Sequence, residues 1–347
     1  MNRQRVTLAD VAEAAGVSTT TVSLVLSGRG RDLRISAAAE QRVRRAANAV
    51  GYRRRVLSGG VRAGATHTIG FVSDAVADLS AELVRGAVDA ARAHGVLLFV
   101  ADTDGDREAE QGLIGSMLDQ RVDGIVYAAP HTTRATVPDE VEAARAVLLN
   151  VLPDRPSRLP AVVPDEVEAG RAAARALLDA GHRDGIHLIG AGAGPGDVPP
   201  ASVTAAERLA GLTEEFAAAG VELAGATPCR WRLPEHGFTA TKRLLRRARP
   251  RALVCLNDRL AFGAYQALAE AGLGVPADVS VVSFDDHPLA SWVRPKLTTV
   301  AVPHYELGAK AVEVLLTGRR SGTPAVHRVP MPRRDRSSIA PPRLRGN

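Results

Sequence analysis

The sequence predicts an N-terminal all-α head of helix-turn-helix type, followed by an α/β core of two doubly wound parallel-sheet lobes. Three observations predict it. Residues 7–27, TLADVAEAAGVSTTTVSLVLS, hold two short helical patterns joined by a glycine. From Thr68 onward, short apolar runs alternate with amphipathic stretches, the pattern of parallel sheets covered on both faces. A chain of 347 residues with 46% hydrophobic content is long enough for more than one domain and too apolar to be disordered.

In the head, Thr7 followed by Asp10 has capping-box spacing, and Leu8, Val11, Ala12 and Ala15 recur at helical intervals. Gly16 breaks this helix. Ser18 is placed to cap a second one carrying Val22, Val25 and Leu26. In such a unit the second helix enters the DNA major groove and its first turn reaches base edges. Thr19, Thr20 and Ser23 are its exposed short polar residues, with Thr21 and Leu24 beside them. A threonine hydroxyl bonds several base edges, and its methyl packs on that of thymine. The loop GRGRDLR then supplies Arg29, Arg31 and Arg34. Ser36 caps a third helix over 37–49. Its apolar face is Val43, Ala46, Ala47 and Val50, and Arg42, Arg44 and Arg45 lie on other faces, toward phosphates. Gly51-Tyr52 ends it, and residues 53–66, RRRVLSGGVRAGAT, read as a basic, glycine-rich hinge with Arg53, Arg54 and Arg55 as phosphate contacts. The charge agrees. Residues 1–62 hold 12 Arg against four acids, or +8, which leaves −2 for the rest of a chain of net charge +6. A basic head on a near-neutral body is the footprint of a nucleic-acid module. The expected organisation is head 1–52, hinge 53–66, core 67–340 and tail 341–347.

In the core, Ile69–Val72, Leu97–Ala101, Ile125–Tyr127 and Val147–Asn150 read as buried strands, with helices near 80–94, 106–120 and 138–145. A helix at 166–180, a strand at Ile186–Ile189 and helices at 205–219 and 236–247 follow. A strand at Leu253–Leu256, a helix at 259–271 and a strand at Val279–Phe284 then continue the alternation. Asn257-Asp258 and Asp285-Asp286 fall at the carboxyl ends of two of these strands, where open α/β sheets bind ligands. Trp231 is read two ways, as core packing or as a stacking face for a ring.

Enzyme chemistry finds no support. There is no G-x-S-x-G, no H-E-x-x-H and no Walker motif. The glycine run at 190–196 fails the dinucleotide fingerprint, because Pro195 or Asp197 falls where the last glycine must be; a loop at a cleft mouth fits better. No cofactor and no metal are expected. The nine histidines are scattered, and His182 reads as a turn residue. Cys229 and Cys255 make no metal-binding spacing and are expected as two free buried thiols in a reducing cytoplasm. No apolar run suits a signal peptide or a membrane span, so the expectation is a cytoplasmic, nucleoid-associated protein with no membrane partner.

The chain resembles the LacI/GalR family of transcriptional regulators, the lactose-repressor type, over essentially its whole length. The segments that carry the resemblance include TLADVAEAAGVSTTTVS at 7–23, VRRAANAVGY at 43–52, AGHRDGIHLIG at 181–190, ERLAGL at 207–212, LVCLNDRLAFGAYQALAEAGLGVPADVSVVSFDD at 253–286 and PKLTTVAVPHYELGAKAVEVLL at 295–316. The resemblance implies a homodimer whose core is built like a periplasmic sugar-binding protein, with the effector held between the lobes. It implies that Arg208 and Asp285 bind the ligand, that Asn257 and Asp258 face the cleft, and that Trp231 stacks on a ring. Asn150 and Asp74 are then the contacts from the first lobe. Two departures matter. Leu24 stands where many members carry a guanine-reading arginine, so only apolar contact is available there. The family's hinge helix wedges a leucine into the minor groove; here Ser58-Gly59-Gly60-Val61 makes Val61 the candidate wedge, in a segment whose glycines each disfavour helix by about 0.8–1.0 kcal/mol. The hinge is therefore expected to order only when two copies meet on DNA.

The function expected from this reading is an effector-controlled, sequence-specific DNA-binding regulator, a repressor. Its partners are double-stranded operator DNA and a small effector, a sugar in first place. The alternative is a solute-binding protein without a DNA role, which the basic head and the lack of a signal segment disfavour. The short tail leaves no room for a heptad helix, so a dimer is the expected assembly.

Overall fold

The computed structural model describes residues 7–26, 35–50, 66–192, 202–231, 233–318 and 325–342. The chain divides into two compact units, Met1–His67 and Thr68–Asn347. Arg29, Arg31, Arg34, Tyr52, Arg53, Arg54, Arg55, Val61 and the glycine run beyond Gly192 lie outside the described residues.

The first unit holds α1 (Leu8–Ala15), α2 (Thr19–Leu26) and α3 (Ala37–Ala49). Thr7 and Asp10 form the expected capping box, with the Asp10 carboxylate accepting from the Thr7 backbone N–H at 2.6 Å. Gly16 ends α1 at φ 63°, a left-handed conformation that glycine adopts without steric cost. Ser18 Oγ accepts from the Thr21 backbone N–H at 3.1 Å and Ser36 Oγ from that of Ala39 at 3.3 Å. Val11, Ala12, Ala15, Val22, Val25, Val43 and Ala47 close a small core of their own.

The second unit is two doubly wound lobes. In the first, β1 (Thr68–Ser73), α4 (Ala81–Ala93), β2 (Leu97–Asp102), α5 (Arg107–Asp119), β3 (Ile125–Ala135), α6 (Asp139–Ala143), β4 (Ala146–Pro153) and β5 (Ala161–Pro164) follow in order. The second holds α7 (Glu166–Asp179), β6 (Ile186–Ile189), α8 (Val203–Ala218), β7 (Gly225–Thr227), α9 (Pro234–Leu245), β8 (Ala252–Cys255), α10 (Asp258–Glu270), β9 (Ser280–Asp285), α11 (Leu289–Trp292) and β10 (Thr298–Ala301). The chain then returns to the first lobe as α12 (His304–Thr317) and β11 (Val326–Val329), and to the second as β12 (Arg333–Arg334). The sheet orders are β11-β5-β4-β3-β1-β2 and β12-β10-β9-β8-β6-β7. Among the described strands, all sheet pairings are parallel except that of β12 with β10, an antiparallel edge.

Strand alternation sends neighbouring side chains to opposite faces. Ile69 and Phe71 meet α4 and α12, while Val72 meets the core under α5 and α6. In the second sheet Ile186 and Leu188 pack under α7 and α8, and Leu253 and Cys255 under α9 and α10. Each of these strands is thus buried on both sides, which is why it reads as a continuous apolar run; β2, expected to be buried, is instead a largely exposed edge strand.

Among the described residues the lobes are joined by three chain crossings, after β5, after β10 and between β11 and β12. The crossings are tied to one another: the Asp165 N–H donates to Val329 O at 2.9 Å and the Ala301 N–H to Pro332 O at 2.9 Å. A bridge between Thr133 and Ser202 and the two-pronged pair of Arg328 with Glu207, both bonds 2.8 Å, link the lobes further.

Glycines set how closely the covering helices approach. A β-carbon at Gly170 would strike the Arg208 carbonyl oxygen, and one at Gly211 that of Val167; Gly86 with Gly308 and Gly237 with Gly263 form the same reciprocal arrangement. The α7–α8 contact carries Glu166 to Arg208 and so builds part of the site below. Gly211→Ala is expected to lower stability by about 1–3 kcal/mol in urea unfolding, as overpacking does. Gly112→Ala on α5, where nothing lies within 4 Å, should instead gain about 0.5–1 kcal/mol. Equal effects at the two positions would contradict the packing argument.

Candidate functional site

The head offers one polar face. Ser18, Thr19, Thr20 and Ser23 are exposed on or just before α2, with Thr21 and Leu24 half-buried. Ser18 and Thr21 pair their hydroxyls at 2.9 Å, and the Thr7 hydroxyl donates to Asp10 at 2.9 Å, so these three are engaged in shaping helix ends. Thr19, Thr20 and Ser23 carry the outward polar atoms. Arg42, Arg44 and Arg45 are exposed on α3.

In the core, Asp74, Asn257 and Asp285 lie at or just after the carboxyl ends of β1, β8 and β9, while Asn150 sits within β4 and Arg208 on α8. In the second lobe the ends of β6 and β8 are tied by Trp231. Its indole N–H donates to Gly190 O at 2.8 Å, and the Asn257 amide donates to Trp231 O at 3.1 Å. Asn257 also caps α10 by accepting from the Leu260 N–H at 2.8 Å. Trp231 packs against both hydrophobic clusters of this lobe, so the core-packing reading holds for its body.

Asp258 departs from expectation. Its side chain does not face a cleft; it is fully buried. Ser283 and Thr299 donate their hydroxyls to it, the latter at 2.9 Å, and the His287 backbone N–H donates at 2.7 Å. As the first residue of α10 it points into the sheet, and these donors compensate its burial. Burial, reinforced by the Asp285 charge, pushes its carboxyl up to about 7. Asp258 therefore clamps β9, β10 and the turn after β9 together.

That turn is strained. Asp285 and Asp286 have φ 106° and 54°, left-handed values costing about 1–3 kcal/mol each for residues with a β-carbon. The Asp258 clamp on one side, and Arg336 donating to Asp286 at 2.6 Å on the other, hold them there.

Arg208 is the centre of the site. It is 2% exposed. Its Nε and Nη2 donate to Glu166 at 2.6 and 3.1 Å; its Nη1 donates to Leu256 O at 2.7 Å and pairs with Asp285 at 3.1 Å. Its guanidinium carbon lies 4.7 Å from the Phe284 ring centroid. Burial opposes the charge on Arg208, and Glu166 and Asp285 outweigh it, raising the group above the ordinary arginine value. Burial pushes the Glu166 carboxyl up, against the pull of Arg208. Glu166, absent from the sequence-based candidates, thus takes up much of the arginine.

From the first lobe, Asn150 is buried at φ 57° and donates to Ala129 O at 3.1 Å, while its Oδ1 has no partner among the described residues. It faces a bulge in β3, where the register against β4 shifts between Ala128 and Thr133. The bulge presents His131 and Thr132, and Thr132 Oγ1 is also buried and unpaired. Asp74 is exposed just after β1. His304, in the first turn of α12, has a buried unpaired Nδ1. Burial pushes it below the ordinary histidine range, while Asp285 pulls it up and His131 and Arg208 push it down. Asp285, Arg208 and the β3 bulge thus act on the same histidine from both lobes.

Two further expectations are corrected. His182 does close the turn after α7, its N–H donating to Leu177 O at 3.0 Å, but its side chain is buried, with Nε2 2.9 Å from Ser280 Oγ and 3.0 Å from Ala340 O, pinning the C-terminal segment. Cys255 is buried but Cys229 is only half-buried. Burial pushes the Cys229 thiol up to about 11 and raises that of Cys255 as well, so neither is an activated nucleophile. Among the described residues no cluster of three or more His, Cys, Asp or Glu could hold a metal ion, and no helix is long and apolar enough to cross a membrane.

Comparison with known proteins agrees with this geometry. Residues 7–55 match the family of bacterial regulatory proteins, lacI family, and residues 174–339 match the periplasmic binding protein-like domain. The chain is 32% identical to the ribose operon repressor of Escherichia coli K12 over 316 residues, covering 89% of this chain and 92% of that one. A lac repressor dimer bound to operator and the anti-inducer ONPF superimposes with TM-score 0.73 at 26% identity, covering 97% of this chain and all of the other. The transcriptional regulator CelR in complex with cellobiose gives 0.65 at 27% identity, covering 96% and 100%.

The raised Asp258 carboxyl has a consequence for stability. Folded chains keep this proton at pH values where unfolded chains, with an ordinary value of 3.8, have lost it. Its contribution to stability is complete below about pH 4 and is lost as pH rises to about 7. Stability of Asp258→Asn relative to the native chain, from urea midpoints, should therefore rise between those pH values. A difference constant with pH would show that the buried carboxyl is ionised throughout.

Proposed function

The chain belongs to the LacI family of bacterial regulatory proteins, and we propose that it is a sequence-specific DNA-binding transcriptional repressor whose operator affinity is set by a small effector held between its core lobes. The observation that carries this reading is the junction in one chain of two built features. One is a capped helix-turn-helix with an exposed Thr19, Thr20 and Ser23 face. The other is a buried Arg208 paired with a part-exposed Asp285 at the carboxyl end of β9 in a doubly wound core.

Operator reading falls to Thr19, Thr20, Ser23 and Leu24, with Thr7, Ser18 and Thr21 setting the helix ends. The arginines at 29, 31, 34 and 53–55 and Tyr52 supply phosphate contacts, and Val61 the minor-groove wedge. Effector binding falls to Arg208, Asp285, Asn150 and Asp74, with Trp231 and Asn257 framing the strand ends and Asp258 acting from beneath. A sugar is the effector class this reading favours, in line with the ribose and cellobiose named for two of its relatives.

The active form in this reading is a homodimer binding a pseudopalindrome with half-sites about one helical turn apart. An apolar edge supports it: β2 borders its sheet, with Leu97, Phe99 and Val100 61%, 50% and 44% exposed. Effector closure of the lobes and DNA binding are then coupled reciprocally, by about 1–3 kcal/mol.

The test is titration of the full-length protein on duplexes selected from a random library, at several salt concentrations, with and without a sugar panel. Operator affinity is expected to fall steeply with salt, as counterions are released. Thr20→Ala should weaken preference for the selected site by about 1–3 kcal/mol. Asp285→Asn should retain operator binding and lose the sugar response. A flat salt profile with no selected sequence would overturn the proposal.

A further inference from the structure

The charges around Arg208 narrow the class of effector; the argument rests on the reading of this cleft as the effector site. In a site of this kind an exposed arginine would be the natural partner of a phosphate or carboxylate. Here four of its five N–H groups are taken. Glu166, itself 2% exposed, grips Arg208 through two bonds, and the remaining Nη1 is shared by Leu256 O and Asp285. The pair of Arg208 with Glu166 is neutral toward a ligand. What remains beside it is Asp285, with its side chain 35% exposed. Two nearby cations are also matched: Arg328 by Glu207 and Arg336 by Asp286.

The uncharged groups point the same way. Asn150 Oδ1 is buried and unpaired and can only accept, and Thr132 Oγ1 and His304 Nδ1 are buried and unpaired too. Thr132 Oγ1 and His304 Nδ1 can donate or accept, while Asn150 Oδ1 and Asp285 favour a partner that brings O–H or N–H donors. Sugar hydroxyls do so. A phosphate or carboxylate brings acceptors and a second negative charge, and recruiting Arg208 to it would strand the buried Glu166 carboxylate.

We propose that this site selects uncharged polyhydroxyl effectors against their phosphorylated and acidic derivatives, and that Glu166 sets this selectivity by occupying Arg208. Glu166 is a specificity-determining residue that acts through the arginine.

The test pairs each neutral sugar with its charged form on the full-length protein: ribose with ribose 5-phosphate, glucose with glucose 6-phosphate and gluconate, and cellobiose alone. Readouts are melting temperature and operator release. For the sugar that acts, the charged form is expected to bind at least about tenfold more weakly, a gap of about 1.4 kcal/mol or more. Glu166→Gln should narrow that gap by strengthening the charged form, and Glu166→Asp should restore it. A charged form that binds as tightly as its parent overturns the proposal, as does a folded Glu166→Gln protein with an unchanged ratio. Should Glu166→Gln fail to fold, the native pairs alone decide. If no compound of either kind shifts melting or operator release, the effector reading itself fails and this inference falls with it.

Discussion

A guanidinium taken out of water loses several kcal/mol of hydration, and a fold tolerates that only when the protein replaces the lost partners. Arg208 meets this condition with acceptors drawn from separated parts of the chain: Glu166 at the start of α7, Leu256 at the end of β8 and Asp285 at the end of β9. Each must be delivered to within hydrogen-bonding distance at once. The α7–α8 contact, the order β9-β8-β6 in the second sheet and the left-handed turn at Asp285 are the means of delivery. Removing Glu166 would leave an uncompensated buried charge, so the second lobe and the site depend on the same contact.

The turn at Asp285 shows how strain is held in place. Two consecutive aspartates in left-handed conformations would relax in an isolated peptide. Asp258 grips the turn from below through the His287 N–H, and Arg336, close to the C-terminus, grips Asp286 from the side. The carboxylate offered to a ligand is thus oriented before the ligand arrives, which lowers the ordering cost of binding. The first lobe differs. Its polar atoms at Asn150 and Thr132 are buried but incompletely bonded.

The head was legible in the sequence because its signals are local. Capping boxes, a glycine stop and helical periodicity span a few residues, and Thr7, Gly16, Ser18 and Ser36 behave as their neighbours dictate. The central strands were legible because both of their faces are covered. The short edge strands β7, β11 and β12 were not, since a few half-exposed residues leave no pattern. β5 and β10 were missed because Pro164 and the threonines at 298 and 299 break their apolar runs, while the equally short β6 and β8 are apolar enough to read. β3 was read too short because its bulge interrupts the apolar run after Tyr127. The site was legible only in part. Arg208 and Asp285 were found through family motifs, but Glu166 looks like an ordinary acid in the first turn of a helix, and its partner lies 42 residues away. Asp258 misled for the opposite reason: beside Asn257 at a strand end it has the address of a ligand contact, and only its hydroxyl and amide donors reveal an internal role. His182 follows a glycine and so reads as a turn, while its true partners, Ser280 and Ala340, are far along the chain.

A ligand at Arg208 and Asp285 and a duplex at α2 are claimed to act on one equilibrium. Linkage then requires that operator change the affinity for sugar by the same factor by which sugar changes the affinity for operator. The direct measurement is the sugar dissociation constant by calorimetry, with the full-length protein free and then saturated with its operator duplex. The account predicts two different constants whose ratio equals the sugar-induced change in operator affinity. Identical constants, with and without DNA, would contradict it.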